Sequence, residues 1–231
     1  SYGQFVARAG RVDIRGSVAA ASGSIDLEAL PTTGSGTVAS EVVLGPGATL
    51  DAAGRWVNDR ARSANAESDI AIKGGSVRIA SLDGVDIGEG AFVDVSAGAW
   101  RDTSRRISYG KAGSISIRHT IPNANLAINP WSLALNGSLT GYGFTGGGSL
   151  SLSVPDLVVS ATQPAGGFWL NPEFFSAGGF RNIAIVSIHD VRFADGVWLA
   201  PVLHNRILSP YASATAPGGR VSSALYALDV L

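Results

Sequence analysis

The feature that most constrains this chain is a short glycine-led unit that returns along its length. It is clearest from Gly74 to Trp100, GGSVRIASLDGVDIGEGAFVDVSAGAW. Three short runs, SVRIA, GVDIG and AFVDVS, alternate apolar and polar residues, the period of a half-buried strand. Gly74, Gly75, Gly84, Gly88, Gly90 and Gly98 punctuate them and would weaken any helix. One such unit cannot bury its apolar face alone. The opening element recurs as GSIDL at Gly23, AGSISI at Ala112 and GGSLSL at Gly147, with weaker forms at Gly10 and Gly179. The closing element recurs as GATLDAAG at Gly47 and GAFVDVSAG at Gly90. Middle strands lie between most pairs: EVVLG, GVDIG, NLAIN, DLVVS and VSIHDV. Imperfect copies of a short multi-strand unit indicate a solenoid whose coils stack on one another.

Composition agrees with thin stacked coils. Charged residues are 15% and hydrophobic residues 45% of 231, with 30 glycines, so the chain is neither disordered nor rich in charged helix formers. A formal net charge of −1 gives no electrostatic case for nucleic acid or an anionic membrane. Cysteine is absent, which excludes disulfides and thiolate metal sites and is compatible with export. No run of about 18 apolar residues reads as a membrane-spanning helix. The chain starts in mid-pattern at Ser1 and stops at Leu231 after an apolar run, so a fragment or processed product is expected.

Coils are expected over 1–206, with insertions at 55–73 and 99–112. Residues 207–231 read as a loop followed by a terminal strand or a cap. The insertions combine aromatics with hydrogen-bonding charges: Arg55, Trp56, Asn58, Asp59, Arg60 and Arg62 in the first, Trp100, Arg101, Asp102, Arg105, Arg106 and Tyr109 in the second. Each follows a closing element, so both should emerge on one side of the stack, where loops on a rigid scaffold carry binding residues. Aromatic faces beside polar groups suit sugar rings, and arginine suits carboxylated glycans. Trp56, Arg60, Arg62, Trp100, Arg101, Arg105 and Tyr109 are therefore the candidate ligand contacts. The alternative is that the tryptophans pack over a coil edge and the charges solvate the loops.

Other candidates reduce to structural readings. Asp51 and Asp94 occupy equivalent positions in two coils. They would form a carboxylate pair for acid–base work or a hard cation, or each would cap the following turn; the lack of an acidic cluster favours capping. The GYGFTG at Gly141 leads into a strand, so the helix that a phosphate loop needs is missing. His119, His189 and His204 have no metal-ligand spacing, and the sequon at Asn136 is a short, common match. Phe168, Trp169, Phe174, Phe175 and Phe180 read as core or a plug between coils. No catalytic residue and no cofactor is indicated; calcium is left open without a motif behind it.

LGPGATLDAAGRWVND, IAIKGGSVRIAS, IGEGAFVDVSAGAW and GKAGSISI together resemble the filamentous-haemagglutinin-like exoproteins of bacterial two-partner secretion. The resemblance runs best over Val43 to Ile117. It implies an all-β, right-handed parallel β-helix, export through an outer-membrane partner pore, and work at the bacterial cell surface. The chain is accordingly expected to be a segment of an adhesin or filament whose side loops contact glycans or host proteins, or which self-assembles. It implies no catalytic residues. A β-helical polysaccharide lyase or hydrolase and a ligand-free spacer of a surface sheath are the rival expectations.

Overall fold

The computed structural model describes residues 3–31, 39–59, 71–120, 131–187, 189–209 and the backbone of 226–230. It is an all-β, right-handed parallel β-helix. The first coil holds β1 (Gln4–Ala9), β2 (Val12–Ile14) and β3 (Ser17–Ala19). The second holds β4 (Ser24–Ala29), β5 (Glu41–Leu44) and β6 (Thr49–Asp51), then the side strand β7 (Trp56–Asn58). The third holds β8 (Ser76–Ser81), β9 (Gly84–Ile87) and β10 (Phe92–Asp94), then β11 (Ala99–Arg101) and β12 (Ile107–Tyr109). The fourth holds β13 (Ser114–His119), β14 (Ser132–Leu135) and β15 (Ser138–Thr140).

Each coil lays its strands on those of the coil before it. One sheet runs β1-β4-β8-β13 and continues through β16 (Gly148–Val154) to β19 (Phe180–Ser187). The other two faces run β2-β5-β9-β14 and β3-β6-β10-β15. Every pairing in these sheets is parallel. Because strand side chains alternate, register turns the sequence pattern into columns. Ile25, Val77, Ile115 and Leu150 stack in one column, and Leu27, Ile79, Ile117 and Leu152 in the next. Val42, Val85 and Leu133 form a column on the second face, and Leu50, Val93 and Leu139 on the third. These side chains are all buried and form one continuous aliphatic interior.

The Gly-Ser start of each coil has a steric cause. The Ser76 N–H donates to the Gly23 carbonyl, Ser114 to Gly75 and Ser149 to Gly113, at 2.9–3.0 Å. A methyl group on Gly75 would overlap the Gly23 carbonyl oxygen, and one on Gly113 would overlap that of Gly75. The corner therefore stacks backbone on backbone and admits no side chain.

Past the fourth coil the regularity changes. β17 (Leu157–Val159) is followed by β18 (Phe168–Leu170), a 3-10 helix Pro172–Ser176, β19 and β20 (Val191–Phe193). β17 pairs with β18 and β20 in a separate sheet of order β18-β17-β20, so it does not stack on β14. Phe180 is buried here, and Phe168, Phe174 and Phe175 pack against the aliphatic core, as the plug reading of that aromatic region expects. Finally β21 (His204–Leu208) pairs antiparallel with β22 (Tyr226–Val230).

Candidate functional site

The two insertions do emerge together. β7 and β11 pair in parallel, Trp56 beside Ala99, Val57 beside Trp100 and Asn58 beside Arg101, and β12 folds back antiparallel on β11. The result is a three-stranded side sheet of order β7-β11-β12 on the flank of the second and third coils.

The two tryptophans have different surroundings. Trp56 is 1% exposed and forms, with Ala99, a small second core that Phe144 and Leu208 cover. Its ring offers no face to solvent, and its indole N–H has no acceptor among the described residues. Trp100 is half-buried and donates its indole N–H to the Asp59 carboxylate at 2.6 Å. The cue lies in the sequence. Trp56 follows Asp51 by five residues, but Trp100 follows Asp94 by six. One extra residue in a period-two pattern turns the side chain to the opposite face.

Arg101 is half-buried and reaches Asn58 Oδ1 at 3.4 Å. Asp102 organises the turn that follows: its carbonyl accepts from the Arg105 N–H at 3.0 Å, and its carboxylate accepts from the Arg106 N–H at 2.7 Å and pairs with the Arg106 guanidinium at 3.0 Å. Burial opposes the charge on Asp102, but the Arg106 hydrogen bonds and charge outweigh it and hold the carboxyl below its ordinary range. Arg105 sits at the tip with φ of 67°, a left-handed conformation that a non-glycine residue adopts at a cost. Its guanidinium is exposed and has no ion-pair partner among the described residues. Tyr109 is 42% exposed and stacks on Phe144, centroids 4.9 Å apart. The open part of the candidate set is thus Arg101, Arg105, the outer face of Tyr109 and the rim of Trp100. Arg60 and Arg62 lie outside the described residues.

Contacts that the sequence reading missed hold this sheet in place. Arg206 of β21 is 6% exposed, donates from Nη1 to the Ala97 carbonyl at 3.3 Å, and lies over the Tyr142 ring at 5.4 Å. Its own N–H bonds the Gly143 carbonyl at 2.7 Å. A strand more than a hundred residues downstream therefore seals the base of the side sheet, and no local pattern announces it.

Asp51 and Asp94 are register partners, as their equivalence suggested. Each accepts from the backbone N–H two residues on, Ala53 at 3.0 Å and Ser96 at 2.9 Å. Asp51 also pairs with Arg55 at 2.9 Å, and Asp94 accepts from the Thr140 hydroxyl at 3.0 Å. Both carboxylates cap turns. Among the described residues no three His, Cys, Asp or Glu side chains converge as a metal site.

No family model, curated protein or solved structure matches this chain. The repetitive β-solenoid scaffold stands on the stacked parallel sheets themselves.

Proposed function

We propose that this chain is a rigid β-helical stretch of a secreted adhesin or filament of the bacterial cell surface, exported through an outer-membrane pore and working without a catalytic centre. Its side sheet is the contact surface for carboxylated glycans or a host surface protein. The observation that carries the reading is the side sheet itself. Two separate insertions fold into one platform, fixed by β21 beneath, with the guanidiniums of Arg101 and Arg105 on its outer part. A rigid scaffold limits the ordering cost of binding, and arginine matches a planar carboxylate.

The test is glycan-array binding of the purified chain, with and without calcium, followed by product analysis of any hit. Binding of acidic glycans without turnover, lost in Arg101→Ala plus Arg105→Ala, is expected. Turnover would replace this reading with the polysaccharide lyase or hydrolase; binding indifferent to both arginines would remove the side sheet from it.

The ligand-free spacer has one observation in its favour. β1, β2 and β3 each end their sheets, so their outer edges would accept a further coil. Filaments in native surface material, together with a blank array, would make that the better reading.

A further inference from the structure

The stack is continuous on one face and interrupted on another. β13, β16 and β19 follow one another without a break, whereas β14 ends its sheet. The strand expected to lie on β14 is β17, but β18 occupies that side of β17 and ends its own sheet. Between them lies a cleft of about 960 Å³. One wall includes every residue from 131 to 140, and the other includes every residue from 167 to 171. A strand lining a cavity with its face would contribute alternate residues; unbroken runs mean that the cleft follows strand edges.

Hydrogen bonding shows which groups point into it. In a parallel ladder a residue directs its N–H and C=O to one neighbour, and the next residue directs them to the other. Ser132 and Asn136 donate to the carbonyls of Asp83 and Ile87, towards β9. Leu133 and Leu135 consequently direct their N–H and C=O groups outward into the cleft. On the opposite wall the Leu170 carbonyl accepts from Ser160, towards β17, which leaves the N–H and C=O of Trp169 facing the cleft. Beyond β15 the slot is closed, because the Gly141 N–H bonds the Gly178 carbonyl at 2.7 Å.

We infer that this cleft is a binding slot for one extended peptide strand, inserted edge-on between β14 and β18. Two facing strand edges that have no ladder partner among the described residues recognise a third strand through its backbone, as in strand addition. The ligand's pattern follows from the columns: an apolar–polar–apolar stretch, with its apolar side chains following Val85 and Ile87, then Leu133 and Leu135, towards Leu170. A sugar suits the slot less well. The Trp131 and Trp169 indole N–H groups are already committed to Ser81 Oγ and the Ser160 carbonyl, at 3.0 and 2.9 Å. Trp131 is also 3% exposed, so its ring gives a sugar no face to stack on. This inference is independent of the side-sheet reading.

The probe is a labelled synthetic peptide, Asp-Gly-Val-Asp-Ile-Gly, the sequence of residues 83–88, which lies on β5 as the ligand would lie on β14. It is titrated into the intact chain, with amide hydrogen exchange read in parallel. Saturable binding is expected, with exchange slowed on the order of tenfold or more at Leu133, Leu135 and Trp169. The same peptide, N-methylated at the positions that donate to β14, should not bind. The slot is refuted by no binding up to about 1 mM, by binding that leaves those three amides unchanged, or by equal binding of the N-methylated peptide. Neutral oligosaccharides protecting the cleft where the peptide does not would likewise overturn it.

Discussion

β8 and β19 belong to the same sheet and are built from the same kind of alternating sequence, yet they live in different environments. β8 lies between β4 and β13, and its Val77 and Ile79 are 1% and 0% exposed. β19 has β16 on one side and ends the sheet, and its inward Ile183 and Ile185 are only partly buried. Burial in this fold is conferred by the next coil as much as by the strand's own pattern, because a coil is one strand thick and closes only when covered from both ends. The same contrast separates β9, paired on both edges, from β14, paired on one.

The sharpest way to break this comparison is to place the same charge in both strands. Ile79→Asp buries an unpaired carboxylate in the aliphatic column and should cost about 4 kcal/mol or more, enough to abolish the cooperative melt. Ile185→Asp, in the same column but at its uncovered end, should cost no more than about 2 kcal/mol. Similar melts for the two variants would mean that the columns are not packed as described.

A second pair tests the glycine corner. Gly75→Ala should destabilise by about 2–3 kcal/mol, because the backbone of the coil beneath must move away. Gly16→Ala, where an added methyl meets nothing within 4 Å, should be close to neutral. Urea midpoints of the two variants give the comparison directly; equal midpoints would contradict the stacked corner.

The smallest effect concerns His119, the last residue of β13, whose ring lies 5.5 Å from that of Trp131. Burial lowers its pKa below the ordinary 6.5, against the opposing pull of the Leu82 carbonyl and the Asp83 carboxylate. With the folded-state value depressed, the unfolded chain binds the proton more readily. The contribution of neutral His119 is therefore complete above the unfolded value and is lost as pH falls through the folded one. On going from about pH 7.5 to about 5, the parent should lose more in Tm than His119→Gln. Identical slopes would remove the histidine from the pH dependence.

Much of the stack was legible because its motifs are direct readouts of geometry. A glycine was demanded wherever one coil's backbone rests on another's, and alternating Val, Ile and Leu wherever a column runs. Asp51 and Asp94 were legible as turn caps because each is a short carboxylate before a glycine turn with no acidic cluster around it. The side sheet was legible in position but not in detail: one additional residue before Trp100 sends the two tryptophans to opposite faces, so that Trp56 serves the core. The burial of Arg206 against Ala97 and Tyr142 depends on a contact remote in sequence, which periodicity does not encode. The cleft was hidden for a related reason. DLVVS reads as an ordinary middle strand, and nothing in it says that β18 will take the edge on which β14 should have stacked.

Residue-resolved amide hydrogen exchange of the unliganded chain tests the central account, a coil stack continuous on one face and open at β14. Slow exchange is predicted at Ile79 and Ile117, inside the continuous sheet, and at Ala134, whose N–H points to β9. Leu133 and Leu135, which alternate with Ala134 on the same strand, should exchange fast. Equal protection of all three β14 amides would contradict an open edge, and fast exchange at Ile79 and Ile117 would contradict the stack itself.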